Sequence, residues 1–128
     1  MKKIVIIGGG FGGMNLAKNL AGTKGTDVIL VDKNNYNYFP PLIYQVASSF
    51  IEPSSISYPF RKMFQGKDNV RFYQGSFISI DTKTNEVHTS EGKLSYDYLV
   101  FAQGTQPNYF GLSAISEKAL PLKNINDA

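Results

Sequence analysis

The sequence predicts an α/β fold in which a parallel sheet is joined to a small antiparallel β-meander. Residues 26–32 form a near-continuous Val/Ile/Leu segment that is typical of strands covered by helices on both faces, and residues 3–7 indicate a buried strand that ends in a glycine turn. After Val70 the pattern changes to short strands separated by turn-forming residues. With 128 residues, 42% of them hydrophobic, and no repeat, the chain is expected to form one domain, residues 1–128.

The first elements follow from apolar periodicity. Residues 3–7 are predicted as a strand, residues 12–21 as an amphipathic helix that Gly22 ends, and residues 26–32 as a second strand. The start "MKKIVIIGGGFGGMNLA" superficially resembles a signal peptide, but its glycines would break the apolar helix that such a peptide needs. We therefore expect a cytoplasmic protein.

The segment after the second strand departs from regular strand and helix alternation. It is aromatic and is broken by Pro40 and Pro41, so a plain crossover helix is not expected there. A helix is predicted over residues 55–64, followed by a meander that begins with "VRFYQG" at Val70. The last strand, residues 98–102, is expected to return to the parallel sheet. The chain ends at Ala128 without a finished element, so we expect a truncated fragment.

Composition and charge exclude several classes of function. The net charge of +3 comes from scattered Lys and Arg, so no nucleic acid is expected as a partner. The chain has no cysteine, which excludes disulfides and thiol chemistry, and no His/Asp/Glu cluster has metal-ligand spacing. No apolar stretch is long enough to span a membrane. His88, the only histidine, is predicted on a surface strand, and we assign no catalytic residue.

The segment "GGGFGG", which contains five glycines, joins the first predicted strand to the first turn of the first predicted helix. Gly8, Gly10 and Gly13 form a G-x-G-x-x-G pattern, in which the first glycine allows a tight turn and the second allows a pyrophosphate to approach the backbone. The third lets the helix pack against the strand. The start of the helix would then offer free N–H groups to phosphates. Alone the pattern is weak, because glycine-rich turns also occur simply to pack a helix on a strand.

Asp32 makes the pattern more specific. It lies nineteen residues beyond Gly13, at the end of the second predicted strand. A carboxylate there can accept hydrogen bonds from the ribose hydroxyls of an adenosine, and its charge would repel a 2′-phosphate. These features predict an ADP-containing dinucleotide, but NAD and FAD both contain ADP, so the motif does not choose between them.

The chain resembles the N-terminal FAD-binding part of type II NADH dehydrogenases, the single-subunit NADH:quinone oxidoreductases. Three segments carry the resemblance: "KKIVIIGGGFGG", "VDKNNYNYFPPLIYQVASSFIEPSSISYPFRKMF" and "YDYLVFAQGTQPNYFG". The resemblance implies a Rossmann-like FAD-binding domain of a two-dinucleotide-binding flavoprotein, with a meander in place of one crossover helix.

The resemblance also implies roles for particular residues. The FAD pyrophosphate would be lined by Gly8, Gly10, Phe11, Gly12 and Gly13. Asp32 and Lys33 would hold the adenosine ribose, and the backbone of Phe77 would lie against adenine. Ala102, Gly104 and Thr105 would bring backbone close to the cofactor, although Gln103 replaces the threonine usual in this family. Pro40, Pro41, Leu42 and Gln45 match a segment beside the flavin ring, toward the quinone.

The full protein implied by the resemblance passes two electrons from NADH through FAD to a quinone in the respiratory chain. It would be peripheral on the inner face of the cytoplasmic membrane through a C-terminal region, and a homodimer is compatible with it. We expect the fragment alone to be inactive, because it lacks a second G-x-G-x-x-G for NADH. Two alternatives stay open: a sulfide:quinone reductase-like flavoprotein, and a non-catalytic NAD-sensing Rossmann regulatory domain.

Overall fold

The computed structural model describes residues 1–128. Its nine strands are β1 (Lys2–Ile7), β2 (Thr26–Asp32), β3 (Tyr36–Tyr38), β4 (Ser57–Pro59), β5 (Val70–Gln74), β6 (Phe77–Asp81), β7 (Glu86–Thr89), β8 (Gly92–Ser95) and β9 (Tyr98–Phe101). Its four α-helices are α1 (Phe11–Leu20), α2 (Ile43–Ala47), α3 (Phe60–Met63) and α4 (Ser113–Ser116). Three single 3₁₀ turns are formed by Pro40–Leu42, Pro53–Ser55 and Ile125–Asp127.

The central sheet has four strands in the order β5-β2-β1-β9, and every neighbouring pair is parallel. β1 and β2 are in the middle, where Val5, Ile6 and Leu30 are fully buried. One apolar cluster covers the face that carries Ile6 and Leu30 and includes Met14 and Ala17 of α1. A second cluster covers the face of Val5 and Val31. Burial on both faces explains why these strands are uninterrupted apolar segments, and it confirms the predicted α/β class.

The meander consists of β6, β7 and β8 in sequential antiparallel order. Val87 of β7 lies opposite Ile80 on one side and Leu94 on the other, so the three side chains share one face. Val87 is fully buried in the second apolar cluster, against Val5 and Val31. The chain then enters β9, which pairs with β1 in the parallel sheet. The predicted meander and the predicted return of the chain to the sheet are both confirmed.

The prediction that "VRFYQG" begins the meander is wrong. This segment is β5, and it pairs in parallel with β2 from Val28 opposite Val70 to Asp32 opposite Gln74. Val70 is buried in the first apolar cluster, and Phe72 stacks on Phe60 with ring centroids 4.7 Å apart. Burial beside β2 therefore decides the pairing of this strand. The alternation of apolar and polar side chains over only five residues does not reveal which sheet the strand joins.

The helix predicted over residues 55–64 is also wrong in its first half. The chain forms β4 there, and α3 begins only at Phe60. Pro59 is the residue before α3, in an extended conformation with φ −62° and ψ 130°. A proline disfavours helical geometry in the residue that precedes it, so Tyr58 stays outside the helix. The other boundaries hold closely, since α1 differs from the predicted helix by one residue at each end.

The chain divides into two compact units. The first contains Met1–Asn37 and Pro59–Gly104, with the parallel sheet, the meander and both apolar clusters. The second contains Tyr38–Tyr58 and Thr105–Ala128. In the second unit the Tyr38 hydroxyl donates a hydrogen bond of 3.0 Å to the Lys123 carbonyl, which ties the two segments together. The assignment of residues 1–128 to one FAD-binding domain stays a prediction.

Candidate dinucleotide-binding site

The turn between β1 and α1 is closely packed on one side. Gly8 has φ +104°, which side chains rarely tolerate, and a Cβ on Gly8 would collide with the Ala102 carbonyl oxygen. The Gly8 N–H donates to the Val31 carbonyl at 2.8 Å. A Cβ on Gly13 would collide with the Gly8 carbonyl oxygen and lie 3.2 Å from Ile6 Cγ2. Glycine is therefore required at Gly8 and Gly13 to bring β1, α1 and the end of β9 together.

The other side of the turn is open. A Cβ on Gly10 would meet nothing within 4 Å, and one on Gly12 would touch only the Ala102 side chain, at 3.8 Å. Gly10 is the N-cap of α1, and no side chain caps this end of the helix. The first N–H groups of a helix have no partner within the helix, so they need acceptors from outside it. Phe11, 58% exposed, lies at the same end.

Asp32, at the end of β2, is held in place by two backbone N–H groups. Its Oδ2 accepts from Gly9 at 2.7 Å and its Oδ1 from Asn34 at 2.8 Å. The side chain is half-buried. A carboxylate oxygen has two lone pairs, so each oxygen of Asp32 retains one site for a further donor. The carboxylate is thus oriented beside the turn and still able to accept a ligand hydroxyl.

Gly9 is the centre of contacts that the sequence did not suggest. Its N–H binds Asp32, its carbonyl accepts a hydrogen bond of 2.7 Å from Asn37 Nδ2, and a Cβ there would collide with the Phe60 ring. Phe60 is 1% exposed. The only sequence signal was the extra glycine at an "x" position of G-x-G, which indicates another close approach at this point. Asn37 and Phe60 carry no recognisable signal of their own.

A polar cavity of about 750 Å³ lies within the first unit, at the ends of β2 and β5. Its charged or amide-bearing lining residues are Lys33, Arg61, Gln74 and Glu91. The cavity adjoins the Asp32 backbone, because Gly75, which also lines it, donates its N–H to the Asp32 carbonyl at 2.9 Å. Lys33 was predicted as a site residue, whereas Arg61 and Gln74 were not. Gln74 lies on β5, and Arg61 lies on α3, which packs against β5 through the stacked Phe60 and Phe72 rings.

The remaining predicted residues each lie in different surroundings. Phe77 begins β6, and its half-buried ring packs edge-on against Phe101 at 5.2 Å and against the second apolar cluster. Ala102 donates its N–H to the Ile7 carbonyl at 2.7 Å, and its carbonyl lies against Gly8. Gly104 is exposed with φ +72°. Thr105 belongs to the second unit, where its hydroxyl accepts from Lys123 Nζ at 2.9 Å.

The residues predicted beside the flavin ring and the single histidine lie in separate elements of the structure. Pro40, Pro41 and Leu42 form a 3₁₀ turn, and Gln45 lies in α2, all within the second unit. His88 is half-buried on β7, opposite Ser79 and Lys93. No three His, Asp or Glu side chains are grouped as a metal site requires. None of the four α-helices combines the length and the hydrophobicity that a membrane span requires.

A parallel sheet with a tight glycine turn at the start of its first helix defines a Rossmann-like α/β protein. A family profile described as "Pyridine nucleotide-disulphide oxidoreductase" matches residues 2–128. The chain therefore belongs to the pyridine nucleotide-disulphide oxidoreductase family. Although the family name refers to a disulphide, the chain contains no cysteine.

Individual proteins are similar to nearly the whole length of this chain. The type II NADH:quinone oxidoreductase NdhA of Mycobacterium tuberculosis is 35% identical over 98% of this chain and 27% of its own length. Among solved structures, the sulfide:quinone oxidoreductase of Aquifex aeolicus is similar with TM-score 0.89 and 30% identity, over 99% of this chain and 30% of that one. NDH2 from Plasmodium falciparum, in complex with NADH, gives TM-score 0.88 and 28% identity, over 98% and 27%.

These comparisons confirm the resemblance to type II NADH dehydrogenases and the flavoprotein class. The chain spans 27% of the length of the Mycobacterium relative. The activity, substrates and partners of a whole protein are therefore proposals.

Proposed function

We propose that this chain is the FAD-binding part of an NADH:quinone oxidoreductase. Its family, its relatives named type II NADH:quinone oxidoreductase, and the open side of the β1–α1 turn support the proposal. When bound, FAD supplies the two-electron chemistry that links a hydride donor to a quinone. The chain itself contributes binding and orientation.

The residues present suit the ADP half of such a cofactor. Gly10, Phe11 and Gly12 start an uncapped helix whose partial positive charge suits a pyrophosphate. Asp32 has acceptor sites for ribose hydroxyls, and Lys33 borders the polar cavity next to it. The Phe77 backbone, Ala102, Gly104 and Thr105 are proposed as further contacts, as the family resemblance implies.

The open space at Gly10 is the single observation that carries the proposal. Packing by itself already requires glycine at Gly8, Gly9 and Gly13, because an added Cβ would collide with protein atoms at each of these positions. Gly10 has no such reason, since its φ of −70° suits any residue and its surroundings are empty. A glycine at this position is explained by a ligand that must approach the backbone.

The test uses ¹H–¹⁵N NMR titration of the 128-residue chain with FAD, which detects weak binding. We expect shifts centred on the amides of Gly10, Gly12 and Lys33. Gly10→Val should change stability by less than about 1 kcal/mol, because it meets open space, and weaken FAD binding at least about 100-fold by filling the pyrophosphate space. Asn19→Val, at the far end of α1, is the control. Equal binding of FAD by the Gly10→Val and wild-type chains would refute the proposal.

Sulfide:quinone oxidoreduction is the second candidate, favoured by the structural similarity to the Aquifex enzyme. The absence of cysteine in residues 1–128 speaks against it, because this segment offers no thiol to react with sulfide. Oxidation of NADH and of sulfide, each with a soluble quinone as acceptor, should be compared on the protein that contains this segment. We expect NADH to be the donor. The NAD-sensing alternative requires regular helix and strand alternation after Asp32, and the meander contradicts it.

We also propose where the whole protein acts. Long-chain quinones are apolar and dissolve in the membrane, so an enzyme that reduces them must reach its surface. We therefore propose peripheral contact with the inner face of the cytoplasmic membrane, as part of a respiratory chain. Homodimer formation stays a prediction of the resemblance.

A further inference from the structure

The Gly9–Gly10 peptide is oriented from one side only. Its carbonyl, that of Gly9, accepts the hydrogen bond from Asn37 Nδ2 at 2.7 Å. A carbonyl oxygen can only accept, so the amide nitrogen of Asn37, and not its oxygen, must face it. Asn37 is the middle residue of β3, within the first unit, and is half-buried. This contact is the only hydrogen bond on that peptide unit.

The orientation of the carbonyl determines that of the neighbouring N–H. A trans peptide is planar, with C=O and N–H pointing in opposite directions. When Asn37 holds the Gly9 carbonyl on its side, the Gly10 N–H must point away from Asn37. That N–H donates no hydrogen bond within the chain, and the space beside the Gly10 Cα is open. An unpartnered donor is therefore held toward the side where the proposed pyrophosphate would lie.

The rest of the turn does not orient this peptide. Asp32 binds the Gly9 N–H, which belongs to the preceding peptide unit, and the Val31 carbonyl binds the Gly8 N–H. Phe60 excludes a side chain at Gly9 but makes no hydrogen bond there. Without Asn37, the Gly9–Gly10 unit lies between two glycines and is free to rotate, because glycine restricts neither neighbouring dihedral angle strongly.

We propose that Asn37 is a positioning residue that aims the Gly10 N–H at the phosphates of the bound dinucleotide. This inference rests on the proposed FAD-binding function. Asn37 acts through the Gly9 carbonyl and would not touch the cofactor itself. Its removal should therefore change the direction of one N–H bond and the affinity for FAD, while the fold remains.

Two variants of Asn37 and one control test the proposal. Asn37→Asp replaces the donor by an oxygen that repels the Gly9 carbonyl, and Asn37→Leu removes the donor without adding charge. Asn35→Asp adds the same charge two residues away, on an exposed side chain. The first measurement is the residual dipolar coupling of the Gly10 N–H in the ligand-free chain, relative to the N–H groups of β1. The second is the FAD dissociation constant by NMR titration, with Tm measured in parallel.

We expect both Asn37 variants to change the Gly10 coupling and weaken FAD binding about tenfold, the scale of one hydrogen bond to a charged group. Asn35→Asp should leave both unchanged, and all three Tm values should lie close to that of the wild type. An unchanged Gly10 coupling in Asn37→Leu would overturn the inference, as would a loss of affinity that merely follows a loss of stability. If the coupling changes but the wild type does not bind FAD, the proposed function fails and the orienting role of Asn37 stands.

Discussion

The two sides of the β1–α1 turn use the same residue type for different purposes. On the packed side, Gly8, Gly9 and Gly13 have neighbours so close that a methyl group would collide with them. On the open side, Gly10 and Gly12 have room for one. Glycine on the packed side is thus a requirement of folding, whereas on the open side it leaves space for a ligand. A glycine motif combines the requirement for close packing with the requirement for ligand space. Only the surroundings of each glycine show which of the two requirements it meets.

The largest effect is expected on the packed side. Gly13→Ala would force a Cβ against the Gly8 carbonyl oxygen, at a point where two backbone segments touch and neither can move as a flexible side chain would. We expect a loss of about 3 kcal/mol in the free energy of unfolding. Gly12→Ala, one residue earlier on α1, should be neutral or slightly stabilising, because alanine favours helix. Urea denaturation of both variants tests the contrast, and equal stabilities would show that the two sides do not differ.

A smaller effect is expected from the charge beside the open side. Asp32→Asn keeps one side-chain oxygen, which can accept the Gly9 N–H, but it removes the negative charge and the oxygen that accepts the Asn34 N–H. The wild-type chain should bind ADP-ribose more tightly than its 2′-phosphorylated form. In Asp32→Asn we expect this preference to shrink by about tenfold, a typical size for one charge contact at a partly exposed site. Competition between the two ligands, followed by NMR, measures it. An unaltered preference would remove Asp32 from the ligand site.

The smallest effect concerns Asp97, which lies away from the turn and serves as a comparison for stability alone. The Lys3 N–H donates to its Oδ2 at 2.6 Å, and this hydrogen bond lowers the pKa of the Asp97 carboxyl. Because the pKa is lower in the folded chain, the ionised carboxylate stabilises the fold above its unfolded pKa. That contribution is lost as the pH falls through the lowered, folded value.

We therefore expect the Tm difference between wild type and Asp97→Asn to be largest at neutral pH and to shrink in acid. Thermal melts from pH 7 to pH 2 measure it. A difference that does not depend on pH would mean that packing, and not the carboxylate charge, is responsible. FAD binding should be the same in both chains, since Asp97, directly before β9, contacts the start of β1 and not the turn.

Much of the first unit was predictable because its signals are local. The bounds of β1, α1 and β2 follow from apolar periodicity interrupted by glycine, and the meander follows from turn residues at 83–86 and 90–93. The positions of Gly8, Gly13 and Asp32 were predictable as well, since the spacing of the motif places them at strand and helix ends. The start of α3 was available from Pro59, but the apolar pattern of residues 55–64 outweighed it in the prediction.

Contacts between distant segments could not be derived in this way. Nothing in "VRFYQG" indicates that it pairs with β2, and nothing in Asn37 indicates that its amide reaches the Gly9 carbonyl twenty-eight residues earlier. Periodicity and spacing specify which face of an element is apolar and where the element ends. Which side chain then meets which backbone group depends on how the apolar faces of β2, β5 and α3 pack together, because burial free energy is shared across the whole cluster and belongs to no single segment.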